Sequence, residues 1–503
     1  RRPVIMSDCS SAGVEFSDRT PGLCGSRGEA VVASTFGWAV GEFSRAKLGD
    51  TRRTRRVIDI ATRFAATPCG VVTAAIVAAD ERQGAYDFME NEKINAEPIA
   101  ESAYRGTADR CRGLPYVFVP VDGSSLSVAD PKLRRGTGPN GSQNHGGRGF
   151  QVISALAVAP DGVPLGLIGQ EWWSRPEAKA TRRPDRRAPE TKESRLWGVV
   201  MDQGRESMAG TGCKAWFVID RGGDAGPVLH DAHTDRSWLT VRACYNRRVQ
   251  GEQGGERQYL WPVVRAEPVV GRYSVEVAER PGRPARTAVM SVRWKEVTLE
   301  LRDRKRKVWD AMRVWAVYAL ETSATAAGQE PLEWMLLTTF PVTNFEDACT
   351  VLYGYVQRWR IEEFHKAWKS GACNVEDTQL HSARAIHVLA VILAAVAVRL
   401  LRMTYLARTT PEVSAAVEFT PAEIDAAAAL TRRRKPRKGV TVPLGTVVLW
   451  VAEAGGYTGK SSGGPPGFLT LARGLARVRT VVAATESPRS DRRTPEPLRW
   501  DQG

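Results

Sequence analysis

The stretch Tyr355-Val-Gln-Arg358-Trp-Arg-Ile-Glu362-Glu-Phe-His-Lys-Ala-Trp-Lys369 decides how the chain is read. It lies in a helical pattern that runs from Asn344 through Lys369, with Trp359, Ile361, Phe364 and Trp368 supplying its apolar positions. At about 100° per residue, Tyr355, Arg358, Glu362 and Lys369 project at roughly 0°, 300°, 340° and 320°, one polar stripe about 60° wide. A solvated face could carry such a stripe. One acid flanked by two bases and a phenol also suits a site that holds a metal ion and a phosphate together.

Two further acids stand upstream. The apolar run Tyr116 to Val121 leads into Asp122, and Ala215-Trp-Phe-Val-Ile219 leads into Asp220. A strand-end Asp is a common turn residue, so neither is informative alone. Together with the stripe they acquire a chemical reason. Phosphodiester transfer with two divalent ions needs carboxylates converging from different elements, one ion activating the attacking oxygen and the other stabilising the leaving oxygen. Asp122, Asp220 and Glu362 are the candidate metal ligands, and Arg358 and Lys369, one and two turns away, are candidate grips on flanking phosphates.

The rest of the chain is consistent with an enzyme carrying accessory parts. Its 503 residues leave room for two to four domains. Residues 1 to 30 are polar and turn-rich and are expected to be a tail. From Phe36 to about Tyr104 the pattern is helical, with a basic edge at Arg52, Arg53, Arg55 and Arg56. Phe150 to Val158 and Val163 to Gly169 flank Pro160-Asp161-Gly162, a hairpin signal, so with Tyr116 to Val121 they read as three antiparallel strands. A charged loop at about 176–192 leads to a helix from about Glu193 to Met208. Between about 237 and 340 the period switches to two, giving strands at Trp238 to Tyr245, Tyr273 to Glu279, Val289 to Leu301, Val314 to Leu320 and Trp334 to Phe340. Helical pattern returns through Lys369, through Ala383 to Leu406, and after Thr420-Pro421-Ala-Glu423, a capping box with Pro at the first helical position. The run Arg432 to Lys438 is expected to be an exposed basic loop.

Composition narrows the partners. Lys and Arg total 71 against 56 Asp and Glu, a net charge of +15 that points to a polyanion, nucleic acid before an anionic membrane. The longest strongly apolar run, Val388 to Val398, is shorter than the roughly 20 residues of a membrane span. Eight scattered cysteines form no C-x-x-C pair and read as reduced thiols. Ala454-Gly-Gly-Tyr-Thr-Gly-Lys460-Ser461 loosely resembles a phosphate loop, but Pro465 and Pro466 forbid the regular helix such a loop must open. His365, beside the stripe, reads as a surface residue or secondary phosphate contact.

Tyr355, Arg358, Glu362 and Lys369 occur at the spacing Y-x2-R-x3-E-x6-K, which resembles the signature of the insertion-sequence-four family of DDE transposases. Lys47-Leu-Gly-Asp50-Thr-Arg-Arg-Thr-Arg-Arg56 and Gln83-Gly-Ala-Tyr86-Asp-Phe-Met resemble the family's N-terminal domain. Val121-Asp122-Gly-Ser-Ser-Leu126, Gly166 to Pro176, Ile219-Asp220-Arg-Gly-Gly-Asp224 and Ala395 to Leu401 extend the resemblance through the core. It implies an α/β fold: a ribonuclease-H-like catalytic core with a β-rich insertion, flanked by helical N-terminal and C-terminal domains. The corresponding boundaries are a tail at 1–35, a helical DNA-end-binding domain at 36–110, the first part of the core at 111–236, the insertion at 237–343, the second part of the core at 344–408, and a helical dimerisation region at 409–503.

The resemblance further implies a catalytic triad of Asp122, Asp220 and Glu362 using Mg²⁺, with Mn²⁺ as a substitute, and a homodimer in a synaptic complex. The partner would be double-stranded DNA, both terminal repeats and target, with no membrane, in a bacterial cytoplasm in association with the nucleoid. Cleavage would pass through a DNA hairpin before the 3′ ends join target DNA. Tyr355, Arg358, Lys369 and Arg242 carry over as DNA contacts, Trp334 as the ring that stacks on a flipped base, and Arg52, Arg53, Arg55 and Arg56 as contacts to the terminal repeat. Ile153 replaces a histidine found in close relatives. Two alternatives share the same core: a catalytically inactive DNA-binding derivative, and a metal-dependent nuclease without strand transfer.

Overall fold

The computed structural model describes residues 34–486, except 131, 134, 141–146, 178–192, 232–236, 252–257, 278–284, 304–307, 324–329, 438 and 460–463. Residues 1–33 of the expected tail, nearly all of the 176–192 loop, and Lys460 and Ser461 of the loose phosphate-loop pattern lie outside the described residues.

Four long helices open the described chain: α1 (Thr35–Phe43), α2 (Thr51–Ala66), α3 (Ala79–Glu90) and α4 (Ala96–Cys111). In α2 the Asp50 carboxylate accepts the Arg52 amide at 2.8 Å and caps the helix. Its apolar positions Val57, Ile60, Ala61 and Phe64 are buried, which leaves Arg52, Arg55 and Arg56 on the exposed face.

There follow β1 (Tyr116–Ser127), β2 (Arg148–Val158), β3 (Pro164–Trp173), α5 (Leu196–Ser207), β4 (Lys214–Ile219), β5 (Ser237–Arg242), β6 (Gly271–Val277), β7 (Arg286–Asp303), β8 (Val308–Glu321) and β9 (Glu333–Thr338). They lie in one mixed sheet in the order β3-β2-β1-β4-β5-β9-β8-β7-β6. β2 is antiparallel to β1 and to β3. β4 is parallel to β1 and to β5. From β5 onward every pairing is antiparallel. The hairpin turn before β3 forms as the sequence indicates: Gly162 adopts a positive φ of 86°, and its amide donates to the Ala159 carbonyl at 2.9 Å.

The last six long helices are α6 (Phe345–Gln357), α7 (Trp359–Lys369), α8 (Ala383–Thr409), α9 (Pro421–Leu430), α10 (Leu444–Ala454) and α11 (Phe468–Glu486). The capping box at Thr420 is present in both directions, with Pro421 opening α9. By length and composition alone α8 could cross a membrane, but 83% of its apolar window is buried inside the protein. It is the central core helix. Arg399 within it is 4% exposed and pairs with Glu418, itself 1% exposed, which also accepts from Arg402.

Two local expectations change. The first strand does not stop at Asp122 but continues to Ser127, because β2 supplies backbone partners from Ser154 to Gly149 after β4 has ended. The helix through the stripe is not continuous either. It is interrupted at Arg358, whose amide donates to the Tyr355 carbonyl in a tighter turn, so α6 and α7 are separate segments.

Candidate active site

Register places the first two acids side by side. Val121 of β1 pairs with Ile219 of the parallel β4, so Asp122 and Asp220 each come one residue later, at the same carboxyl-terminal level of adjacent strands. Beyond this point β1 continues with β2 alone, and the chain after Ile219 turns away through a 3-10 turn at Arg221–Gly223. A crevice at the carboxyl ends of parallel strands is where open α/β sheets place ligands. Asp220 caps the 3-10 turn, its Oδ1 accepting the Gly222 amide at 2.7 Å.

The third acid arrives on α7. Its predecessor α6 sits directly on β1: Tyr353 packs edge-on against Phe118 with ring centroids 5.8 Å apart, and a Cβ added at Gly354 would lie 2.5 Å from the Phe118 ring. The glycine thus sets how closely the helix that precedes Glu362 approaches the strand of Asp122. Arg358, at the junction of the two helices, donates to Glu362 Oε1 at 2.8 Å and lies 3.5 Å from Asp122 Oδ2. A largely buried guanidinium therefore ties the Asp122 strand to the Glu362 helix.

Electrostatics agree with this proximity. Burial pushes the Asp122 carboxyl up to about 6, Arg358 and the Gly123 amide oppose the rise, and the charges of Asp220 and Glu362 add to it. The Arg358 guanidinium is held more basic than usual despite its burial, by Tyr355, Asp122 and Glu362. Asp122 thus feels both other carboxylates, and the positive charge that opposes them there is that of Arg358. No group of three His, Cys, Asp or Glu side chains among the described residues is close enough to hold a metal ion. The chemistry of the donor set nevertheless fits one: the acids supply hard oxygen ligands, and their mutual repulsion favours an added divalent cation.

The other sequence-derived residues divide. Tyr355 and Trp334 meet edge-on at 5.4 Å between ring centroids and are both buried, Trp334 being 9% exposed. Arg242 ends β5, where it pairs with Leu336 in β9, and its Nη2 donates to the Glu333 carbonyl at 2.8 Å. Lys369 lies 4.0 Å from Glu376. Glu376 was not singled out from the sequence. Its carboxylate also accepts the Ser127 amide at 2.7 Å, which ties the end of β1 to the loop after α7. Arg53 is half-buried and donates to the Leu48 carbonyl at 3.0 Å. Ile153 is buried opposite Gly123, adjacent to the Asp122–Ser154 pair.

His365 differs from its sequence reading as a surface residue. It is 7% exposed, its ring packs against Phe364, and burial followed by the nearby Lys369 charge pushes its pKa down to about 3. Its Nε2 has no hydrogen-bond partner among the described residues. His365 is a core residue, not the surface residue that the sequence suggests.

Two family models match the chain. One, described as transposase DNA-binding, covers residues 36–94, from α1 to beyond α3 and including Arg52 to Arg56. The other, described as the transposase Tn5 dimerisation domain, covers residues 395–495, from the middle of α8 onward. The class these segments support is a DNA-processing enzyme with parts for DNA binding and homodimer formation. More particularly, they support a Tn5-like transposase.

Proposed function

We propose that the chain is a cut-and-paste DDE transposase of the insertion-sequence-four family, with a ribonuclease-H-like catalytic core. The observation that carries this reading is the level pairing of Asp122 and Asp220 on adjacent parallel strands, with Glu362 linked to Asp122 through Arg358. The strand order β3-β2-β1-β4-β5, antiparallel in its first two pairings and parallel in its last two, supports the core assignment. On this reading β5, parallel to β4, completes the core sheet, so the insertion expected to begin at residue 237 begins after Arg242 instead, with β6 to β9 and their connections forming the block between Asp220 and Glu362.

Asp122, Asp220 and Glu362 would hold Mg²⁺, for which Mn²⁺ could substitute. Bound divalent ions would supply an activated attacking oxygen and stabilise the leaving oxygen. The chain's own residues do the rest. Arg358 and Lys369 carry positive charge beside the acids and bind phosphates of the cleaved strand. Arg242 and Tyr355 hold the backbone near the scissile bond. Trp334, once uncovered from Tyr355, offers a ring on which an extruded base stacks, offsetting the cost of unstacking it during hairpin formation. Arg52, Arg53, Arg55 and Arg56 grip the phosphates of the terminal repeat, and a C-terminal dimer brings two ends together before both are joined to target DNA.

The test uses purified protein, Mg²⁺ and duplex DNA carrying the repeats that flank the coding sequence. Hairpin-ended fragments and insertion products are the expected outcome. Cleavage without joining identifies a nuclease, and binding without cleavage an inactive derivative. Asp122→Asn should abolish chemistry while leaving end binding intact; a variant that still cleaves removes Asp122 from the site.

A further inference from the structure

Four residues beyond Asp220, Asp224 carries a carboxylate with 0% side-chain exposure. A buried carboxylate is costly unless every lone pair is used, and here donors converge from a single other segment. Asp224 Oδ2 accepts the amides of Cys244 at 2.8 Å and Tyr245 at 3.2 Å. Its Oδ1 accepts from Arg247 Nε at 3.2 Å and pairs with Arg247 Nη2, which also donates to the Asp224 backbone carbonyl at 2.9 Å. Arg247 is itself mostly buried and lies over the Tyr245 ring at 5.2 Å.

The two segments joined in this way are not arbitrary. On one side is the short turn that Asp220 caps, with Gly223 buried beneath it. On the other is the chain leaving β5 just after Arg242, which is anchored in turn to β9 through Arg242 Nη2 and the Glu333 carbonyl and through the Ala243 amide and the Met335 carbonyl. Asp220 and Arg242 end neighbouring parallel strands whose last paired residues are Ile219 and Val241. Strand pairing stops there, and without a further tie the two ends could splay. Asp224 supplies that tie.

We propose that Asp224 and Arg247 form a positioning clamp that fixes the spacing between the Asp220 carboxylate and the Arg242 phosphate contact. Neither residue touches the reacting atoms. The clamp acts by holding two elements of the site at one separation, and a buried ion pair suits this because its directional bonds specify geometry more than they add stability. The inference rests on the proposed roles of Asp220 and Arg242.

The test uses the full-length protein and duplex DNA carrying the flanking repeats, with the single-turnover cleavage rate at saturating protein and the affinity for end DNA measured separately. Asp224→Asn and Arg247→Gln are each expected to slow cleavage about 10- to 100-fold, the scale of a misplacement of about 1 Å. End affinity should stay within about twofold, and the double variant should lose no more than either single one, since both changes break one device. Arg247→Lys, which keeps the charge, should recover part of the rate and serves as the test if Asp224→Asn does not fold. Folded single variants that cleave at the wild-type rate, or a double variant whose losses multiply, overturn the clamp. Asp220→Asn separates the two levels: if it still cleaves, the proposed active site fails; if it is inactive while Asp224→Asn is not, only the clamp fails.

Discussion

Asp122 should make the protein less stable at neutral pH than the same chain without its charge. Burial, aided by the Asp220 and Glu362 charges, moves its carboxyl from the ordinary 3.8 up to about 6 against the opposition of Arg358. Because the folded-state value is the higher one, the folded protein binds more protons than the unfolded chain between about pH 4 and 6, and stability falls as pH rises through that window. A shift of roughly two units at about 1.36 kcal/mol per unit makes the full penalty about 3 kcal/mol, absent below the window and complete above it. Asp122→Asn removes the titrating group. Urea denaturation followed by circular dichroism at closely spaced pH values from 4 to 8, without divalent ions, compares the two proteins. The variant should gain on the wild type as pH rises and be the more stable by up to about 3 kcal/mol at pH 7.5. If the two curves run parallel across the window, Asp122 is not held under this burden and the electrostatic account of the site is wrong.

Four further outcomes follow from the same geometry. Mg²⁺ at about 100-fold over its dissociation constant should stabilise the wild type by about 2.7 kcal/mol against denaturation, and Asp122→Asn by much less; equal stabilisation would place the metal elsewhere. Gly354→Ala puts a Cβ 2.5 Å from the Phe118 ring, so it should cost about 1–3 kcal/mol of stability and slow cleavage by displacing the helix that leads to Glu362, which denaturation and single-turnover assays would detect. Glu418→Gln leaves buried Arg399 and half-buried Arg402 without their counter-charge and should cost about 3–5 kcal/mol; burial opposes the charge of Glu418, yet the two arginines hold its carboxyl below the ordinary value, so this contribution is present at neutral pH and disappears on acidification. Trp334→Ala, which removes the ring packed against Tyr355, should lower the ratio of hairpin to nicked product on sequencing gels more than it lowers nicking itself.

What could be read from the sequence was what is locally encoded. The hairpin at Pro160-Asp161-Gly162, the capping box at Thr420, the apolar run leading into Asp220 and the helical stripe all follow from turn chemistry or periodicity within short local stretches. Features set by partners distant in sequence were not legible. Gly123-Ser124-Ser125 has no strand pattern and is extended because β2 is longer than β4. The interruption at Arg358 carries no Gly or Pro signal; it coincides with a guanidinium drawn to carboxylates on two elements. His365 looks polar on a helical wheel, yet it is buried against its neighbours in the core. Asp224 reads as one more polar residue in a Gly-rich turn until the segment at residues 244–247 folds onto it.

The charge distribution connects these observations. A chain with a net charge of +15 is suited to a polyanion, yet Asp122 and Asp220 at the strand ends and Glu362 on α7 gather acidic charge at one crevice. Surface arginines could not neutralise that crevice without filling it, and a fully apolar crevice would have no use for a cation. Arg358 resolves the conflict by compensating two of the acids from the helix junction while leaving Asp122 with a raised pKa. Such incomplete compensation costs stability in the isolated protein, and it is relieved only when further positive charge arrives. A substitution that removes the burden, as Asp122→Asn does, therefore stabilises the fold by removing the very field that would draw a cation into the site.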